Sequence, residues 1–147
     1  MKELPNILKV SPTQIAFGRR LGLELAGCTV SVARAKIEDL VDHGFNDADL
    51  SRPTEKQVAL ARKFGYDISG ETRRVGDAIL DDIMEQLNHD SIVAQKLEAG
   101  VAVTRVRDTT RRKHIISSIY PDGTVYFKGG NGQKAWARNV HRINHEA

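Results

Sequence analysis

Two groups of residues in the last third of the chain have the types and spacing to bind a polyanion. The first is Arg105, Arg107, Arg111, Arg112, Lys113 and His114, and positions 107–113 alone hold four cations and one aspartate. Cations so closely spaced follow a phosphate backbone, because each one that pairs with a phosphate releases a condensed counterion. The second is Lys128, Lys134, Trp136, Arg138 and Arg142. On a strand, Lys134, Trp136 and Arg138 share one face, as do Arg105 and Arg107. There the indole can stack on a base while the cations pair with phosphates. Trp136, the only tryptophan, also has a structural reading. A buried indole would leave Lys134 and Arg138 at the rim of a core with their stems packed along it. Tyr120, Tyr126 and Trp136 could form a cage for a cation, but three aromatics in a small β domain more often form its core.

The charge is distributed unevenly. Residues 1–100 hold 13 Lys+Arg and 16 Asp+Glu, whereas residues 101–147 hold 9 and 3. A slightly acidic body is followed by a basic tail. This points to nucleic acid or another anionic partner for the tail, against a merely solvated basic surface.

Catalytic patterns are missing. Gly129-Gly-Asn-Gly132 is followed by Gln133-Lys134-Ala135, which has neither the spacing nor the hydroxyl of a phosphate-binding P-loop. No H-E-x-x-H occurs. His141 and His145 are four apart at a terminus expected to fray, and His43, His89 and His114 are isolated. Cys28 reads as a small buried hydrophobe. Glu38-Asp39 and Asp81-Asp82 read as solvated helix faces. The expectation is a non-enzymatic protein with no catalytic residues, no metal and no cofactor.

The whole chain has 147 residues, 40% hydrophobic, 28% charged and 5% aromatic, a globular composition with an aliphatic core. No run of 18 apolar residues occurs, so no membrane-spanning helix is expected. MKELPNILKV lacks the apolar stretch of a secretory leader. A single cysteine excludes an intrachain disulfide and a four-cysteine zinc site. A reducing, cytoplasmic setting is expected.

An internal repeat organises the first two thirds. Residues 11–41 align with 54–84 at a shift of 43, with nine of 31 positions identical: Gln14/Gln57, Ala16/Ala59, Arg19/Arg62, Gly22/Gly65, Gly27/Gly70, Thr29/Thr72, Val32/Val75, Ala35/Ala78 and Asp39/Asp82. Two copies are few for a solenoid, so a packed pair is expected. Each copy opens with a capping box, Ser11 with Gln14 and Thr54 with Gln57. The apolar sets Ile15, Phe17, Gly18, Leu21 and Val58, Ala61, Phe64 have helical spacing. A short extended link follows, Leu23-Glu-Leu25 or Tyr66-Asp-Ile68, and Thr29 or Thr72 caps a second helix. The polar stretch Asn46–Pro53 joins the copies. The last helix is expected to run to about Asn88, with Asp90 or Ser91 capping a further short helix to Gly100.

The order of helix, glycine, apolar extended link, glycine and helix, clearest in FGYDISGETRRVGDAILDDI, resembles SAP and related helix-extension-helix modules. The resemblance implies attachment to DNA-working proteins, with basic residues near the start of the second helix. Here those positions are Arg73 and Arg74. Copy one has Val30 and Ser31 instead, so only copy two is expected to bind phosphates there, aided by the helix N-terminus. Copy one is left as a packing partner or a protein-docking surface. The T-x-K-Q start with a later Leu-Ala and Gly also resembles short helical modules of phage and plasmid DNA-processing proteins.

From Gly100 the pattern becomes β. Val101–Arg107, Arg111–Tyr120, Thr124–Lys128 and Gln133–Asn139 read as strands, with Pro121-Asp-Gly123 and Gly129–Gly132 as turns. Val140–Ile143 closes with a helical turn and a short strand. PDGTVYFKGG followed by QKAWARNV resembles Tudor and KOW-like small barrels, which implies nucleic-acid, ribosomal, polymerase or methylated side-chain partners.

The expected architecture is α+β, with two tandem helical-hairpin repeats followed by a small antiparallel β-barrel or curled meander. Repeat one covers 1–46, repeat two with a C-terminal helix extension covers 47–99, and the basic β part covers 100–147. The expected function is nucleic-acid binding, DNA favoured over RNA, mainly through backbone phosphates. The residues expected to do it are Arg73, Arg74, Arg105, Arg107, Arg111, Arg112, Lys113, Lys128, Lys134, Trp136, Arg138 and Arg142. The alternative is a protein-interaction subunit of a larger nucleoprotein complex, or a phage-type inhibitor of a nuclease. In that reading the acidic strip Asp77, Asp81, Asp82 and Glu85 matters as much as the tail.

Overall fold

The computed structural model describes residues 4–45, 51–129 and 132–143. Asn46–Leu50 of the polar link, Gly130 and Asn131, His145 and the side chain of His43 lie outside the described residues. The fold is α+β. Four helices, α1 (Pro12–Arg20), α2 (Val30–Phe45), α3 (Glu55–Lys63) and α4 (Arg73–Gln95), precede five strands. These are β1 (Ala102–Arg105), β2 (His114–Ile119), β3 (Thr124–Phe127), β4 (Lys134–Trp136) and β5 (Val140–Arg142), with a 3-10 turn at Ala137–Asn139. The chain forms two compact units, Met1–Met84 and Glu85–Ala147, and the division falls inside α4. Among the described residues no helix is long and apolar enough to cross a membrane.

The first unit is the repeat. α3 and α4 start 43 positions after α1 and α2, so the two copies fold alike from like signals. Both capping boxes form, with Ser11 and Thr54 N–H each donating to the N3 glutamine at 2.8 Å. Both first helices end with the same pair of hydrogen bonds, Gly22 to Arg19 and Leu23 to Gly18, then Gly65 to Arg62 and Tyr66 to Ala61. The links are pinned by Leu25 and Ile68, both fully buried.

The copies face each other as a pseudo-twofold pair. Thr29 donates to Asp82, and Thr72 donates to Asp39. These are four of the repeat's identical positions, and each threonine bonds the other copy's aspartate, the reciprocity of an isologous interface. The same hydroxyls cap their own helices, accepting from Val32 and Val75 N–H. Asp39 and Asp82 therefore do not lie on solvated faces as the sequence suggested. The acidic strip loses Asp82 to the interior, and Asp77 accepts from Gln57. The apolar stripe of α1 also differs from expectation, because Phe17 and Leu21 remain exposed.

Among the described residues Asp82 has no matching cation. Ser31 donates to it at 2.6 Å where the other copy places Arg74 on Asp39. Burial raises the Asp82 carboxyl above the ordinary aspartate range, partly offset by the Ser31 and Thr29 hydroxyls. The native state then holds this proton more tightly than the unfolded chain. Stability from this group is full below the unfolded pKa and is lost as pH rises through the raised native value. Asp82→Asn retains an acceptor for one hydroxyl and a donor for the other. In urea unfolding across pH, the variant is expected to gain on the wild type from about pH 4 upward and to hold a constant lead once Asp82 is fully ionised. A difference independent of pH would show that Asp82 is not raised.

In the second unit the sheet order is β4-β3-β2-β1-β5, all pairs antiparallel. The sheet is not closed into a barrel, since β4 and β5 are its edges. β2 serves both ladders, and its register shifts between Ile116 and Ser118, which bends the strand and curls the meander. One face buries Val103, Ile116, Val125 and Phe127 with Leu97, Ala137 and Val140. The last turns of α4 belong to this unit, and α4 runs unbroken to Gln95. The expected break near Asn88 does not occur because Asp90 and Ser91 bond sideways instead of capping. Gln86 donates to Asp90 at 2.9 Å, and the Ser91 hydroxyl donates to the Ala137 carbonyl at 2.8 Å.

Candidate nucleic-acid interface

The β1–β2 loop presents the first cationic group. β1 stops at Arg105, so Arg107 lies in the loop and does not share a strand face with it. β2 starts at His114, so Arg111–Lys113 are also loop residues. Asp108 organises this segment. Its carboxylate accepts from Thr110 N–H at 2.9 Å, the Thr110 hydroxyl at 2.6 Å and Arg112 N–H at 3.2 Å. These bonds, the Thr110 hydroxyl first, hold Asp108 below the ordinary aspartate range. Arg111 takes φ 53° at the bend. The loop's one acid is thus turned onto backbone and hydroxyl donors, and Arg107, Arg111, Arg112 and Lys113 point to solvent. Among the described residues none of these four is in an ion pair. The D-T-T spacing carries the signal for this turn, which a count of charges overlooks.

Arg105 and His114 lie where the loop meets the sheet. Both sit on Phe127, the guanidinium 5.3 Å from the ring centroid and the imidazole stacked at 4.5 Å. Burial, then Arg105 and Arg112, hold His114 below the ordinary imidazole range, which disfavours its charged form.

The second group divides. Trp136 is not a core residue: it is 42% exposed. The Arg138 guanidinium lies 5.3 Å from its ring centroid. Arg138 is in the 3-10 turn and not on the strand, so the two meet by a side-chain contact and not by strand period. Lys134 lies opposite Tyr126 across β3–β4, its ammonium 5.8 Å from that ring. Lys128 is exposed just beyond β3.

Arg142 is engaged elsewhere. Its guanidinium donates to the Gln95 and Lys96 carbonyls at 3.1 and 2.9 Å, and its N–H to the Gln95 side chain at 2.8 Å. It caps the C-terminus of α4, where a cation meets unpaired carbonyls and the negative end of the helix dipole. Arg142→Ala is expected to lower stability by about 1 kcal/mol and leave the salt dependence of nucleic-acid binding unchanged. A drop in salt slope at unchanged melting temperature would reverse that assignment.

In the first unit Arg74 is held by Asp42, by Asp39 at 3.5 Å and by Glu38 at 3.8 Å. Arg73 is half-buried, and its Nε is buried without a hydrogen-bond partner among the described residues. Among the described residues no cluster of His, Cys, Asp or Glu has a metal-binding arrangement. Cys28 is half-buried with the Lys36 ammonium 3.6 Å from its Sγ.

The second unit thus brings together a cationic loop and an aromatic surface on one small sheet. No protein-family model, no curated protein and no solved structure matches the chain.

Proposed function

We propose that this chain is a non-enzymatic nucleic-acid-binding accessory protein that grips phosphates through the β1–β2 loop. One observation carries the reading. Asp108 is turned onto loop donors, leaving Arg107, Arg111, Arg112 and Lys113 exposed and, among the described residues, in no ion pair, within a segment of seven residues. Such a loop is poised for phosphate oxygens, and its contacts are indifferent to sequence. Arg105, Lys128 and Lys134 extend the positive surface. Arg74 and Arg142 contribute little, because carboxylates and helix carbonyls already hold them. The helix-extension-helix resemblance favours DNA over RNA, and titration with both decides. The test is the salt dependence of binding, set out at the end of the Discussion.

A second reading has its own observation. Leu8 and Phe17 of the first copy are 76% and 52% exposed, apolar side chains of the kind that dock another protein. The chain would then be an interaction subunit of a nucleoprotein complex, or an inhibitor of a nuclease. A defined partner that co-purifies through nuclease treatment, and is lost on Phe17→Ser, supports it. Unaltered retention in that variant counts against it.

A further inference from the structure

The sheet has a second face, opposite its core. Tyr126 pairs with Ser118 and Lys134, and Thr124 pairs with Trp136. Directly paired residues share a side, so Tyr126, Lys134 and Trp136 stand together on this face. Tyr120 joins them through its ring, whose centroid is 4.6 Å from that of Tyr126. Tyr120 is 52% exposed. These are the three aromatics that could have formed the core, and they lie outside it. Tyr120 and Trp136 leave exposed ring surface side by side on this face, which an occupant can cover.

The charges select one. An aromatic cage for a quaternary ammonium needs rings free of other cations. Here the Lys134 ammonium is already over Tyr126 and the Arg138 guanidinium over Trp136. Asn88, almost fully buried, accepts from Arg138 at 3.2 Å and fixes that guanidinium in place. A cationic ligand would be repelled. None of these face positions is acidic, and Asp122 in the adjoining turn bonds Thr124 N–H at 2.9 Å. The occupant therefore combines flat apolar groups with negative charge.

We infer that this face stacks the unpaired bases of a single-stranded nucleic acid, with Trp136 and Tyr120 as platforms and Lys134 and Arg138 on the adjacent phosphates. Duplex bases are stacked on one another and offer no π-face, whereas a single strand offers one at every nucleotide. The inference rests on the proposed nucleic-acid function and sharpens it from polyanion binding to selectivity for single strands.

Trp136 is the only tryptophan, so its fluorescence reports this face alone. The full chain is titrated with oligothymidylate and oligouridylate of about 12 nucleotides and with a duplex of equal length. Single strands are expected to quench Trp136 and the duplex to leave it unchanged. Trp136→Thr keeps a β-branched strand residue and is expected to lower single-strand affinity about 5- to 100-fold, with duplex affinity within about twofold. Trp136→Phe retains most of the binding. The relative affinity for the two oligomers separates DNA from RNA. Single-strand binding without quenching, and unaffected by Trp136→Thr, overturns this inference and leaves the loop's role standing. No binding of any nucleic acid at low salt overturns both.

Discussion

Replacing Arg111, Arg112 and Lys113 together by alanine is expected to weaken nucleic-acid binding by roughly 100- to 500-fold at about 0.1 M salt. The magnitude follows from counterion release. Affinity scales with salt to a power of about −0.7 per phosphate contact on single strands and −0.9 on duplex. Three contacts then contribute about two to nearly three decades between 1 M and 0.1 M salt. The log-log salt slope should become shallower by about 2 to 3. The variant should fold normally, because all three side chains are exposed and none is in an ion pair among the described residues. Arg111 alone needs care, since its φ is positive and a change there can alter the loop. Arg112→Ala with Lys113→Ala alone avoids that position and should remove about two thirds of the slope change. Fluorescence anisotropy at several salt concentrations measures both. Unchanged affinity in the folded variants would remove the loop from the interface.

The second large effect is structural. Gly123→Ala is expected to destabilise the second unit by about 3 kcal/mol or more. Gly123 N–H donates to the Tyr120 carbonyl at 2.9 Å, closing the turn between β2 and β3. Its φ is +89°, which an L side chain rarely adopts. A Cβ there would also collide with Cβ of Asn88. Asn88 cannot move cheaply. It is 1% exposed, donates to the Asp122 carbonyl at 3.2 Å and accepts from both the backbone and the guanidinium of Arg138. Gly100→Ala separates the two causes, because φ is +91° with nothing within 4 Å of its would-be Cβ. It should cost only the backbone strain, about 1 kcal/mol. Equal losses from the two changes, read by thermal or urea unfolding, would show that the Asn88 contact is unimportant.

Local signals made much of this fold legible. Capping boxes, the 43-residue repeat and the Pro-Asp-Gly turn each act within a few residues, and the helices and the β2–β3 hairpin follow from them. The repeat identities also marked Thr29, Thr72, Asp39 and Asp82, but reading them as caps and solvated acids caught half of their work. Their cross-copy bonds span 53 and 33 positions, a distance at which spacing rules are silent. The unbroken α4 was missed for a like reason: Ser91 finds its acceptor 46 residues away. At the candidate site the loop cations were legible as a charge run. The sorting of free from engaged cations was not, because Arg74 and Arg142 meet partners fixed only by tertiary packing. The exposed indole ran against the common burial of tryptophan. It is exposed because Val125 and Phe127 already fill the inner face of β3, and Trp136, opposite Thr124, stands on the outer one.

The most direct test of the central claim is a salt titration of the full chain against labelled single- and double-stranded DNA and RNA of one length. Four loop cations, with up to four more from Arg105, Lys128, Lys134 and Arg138, should give a log-log slope between about −3 and −6 on single strands, with single strands bound more tightly than duplex. No binding at about 50 mM salt would contradict the account, and the basic loop would then stand as a docking surface for a protein.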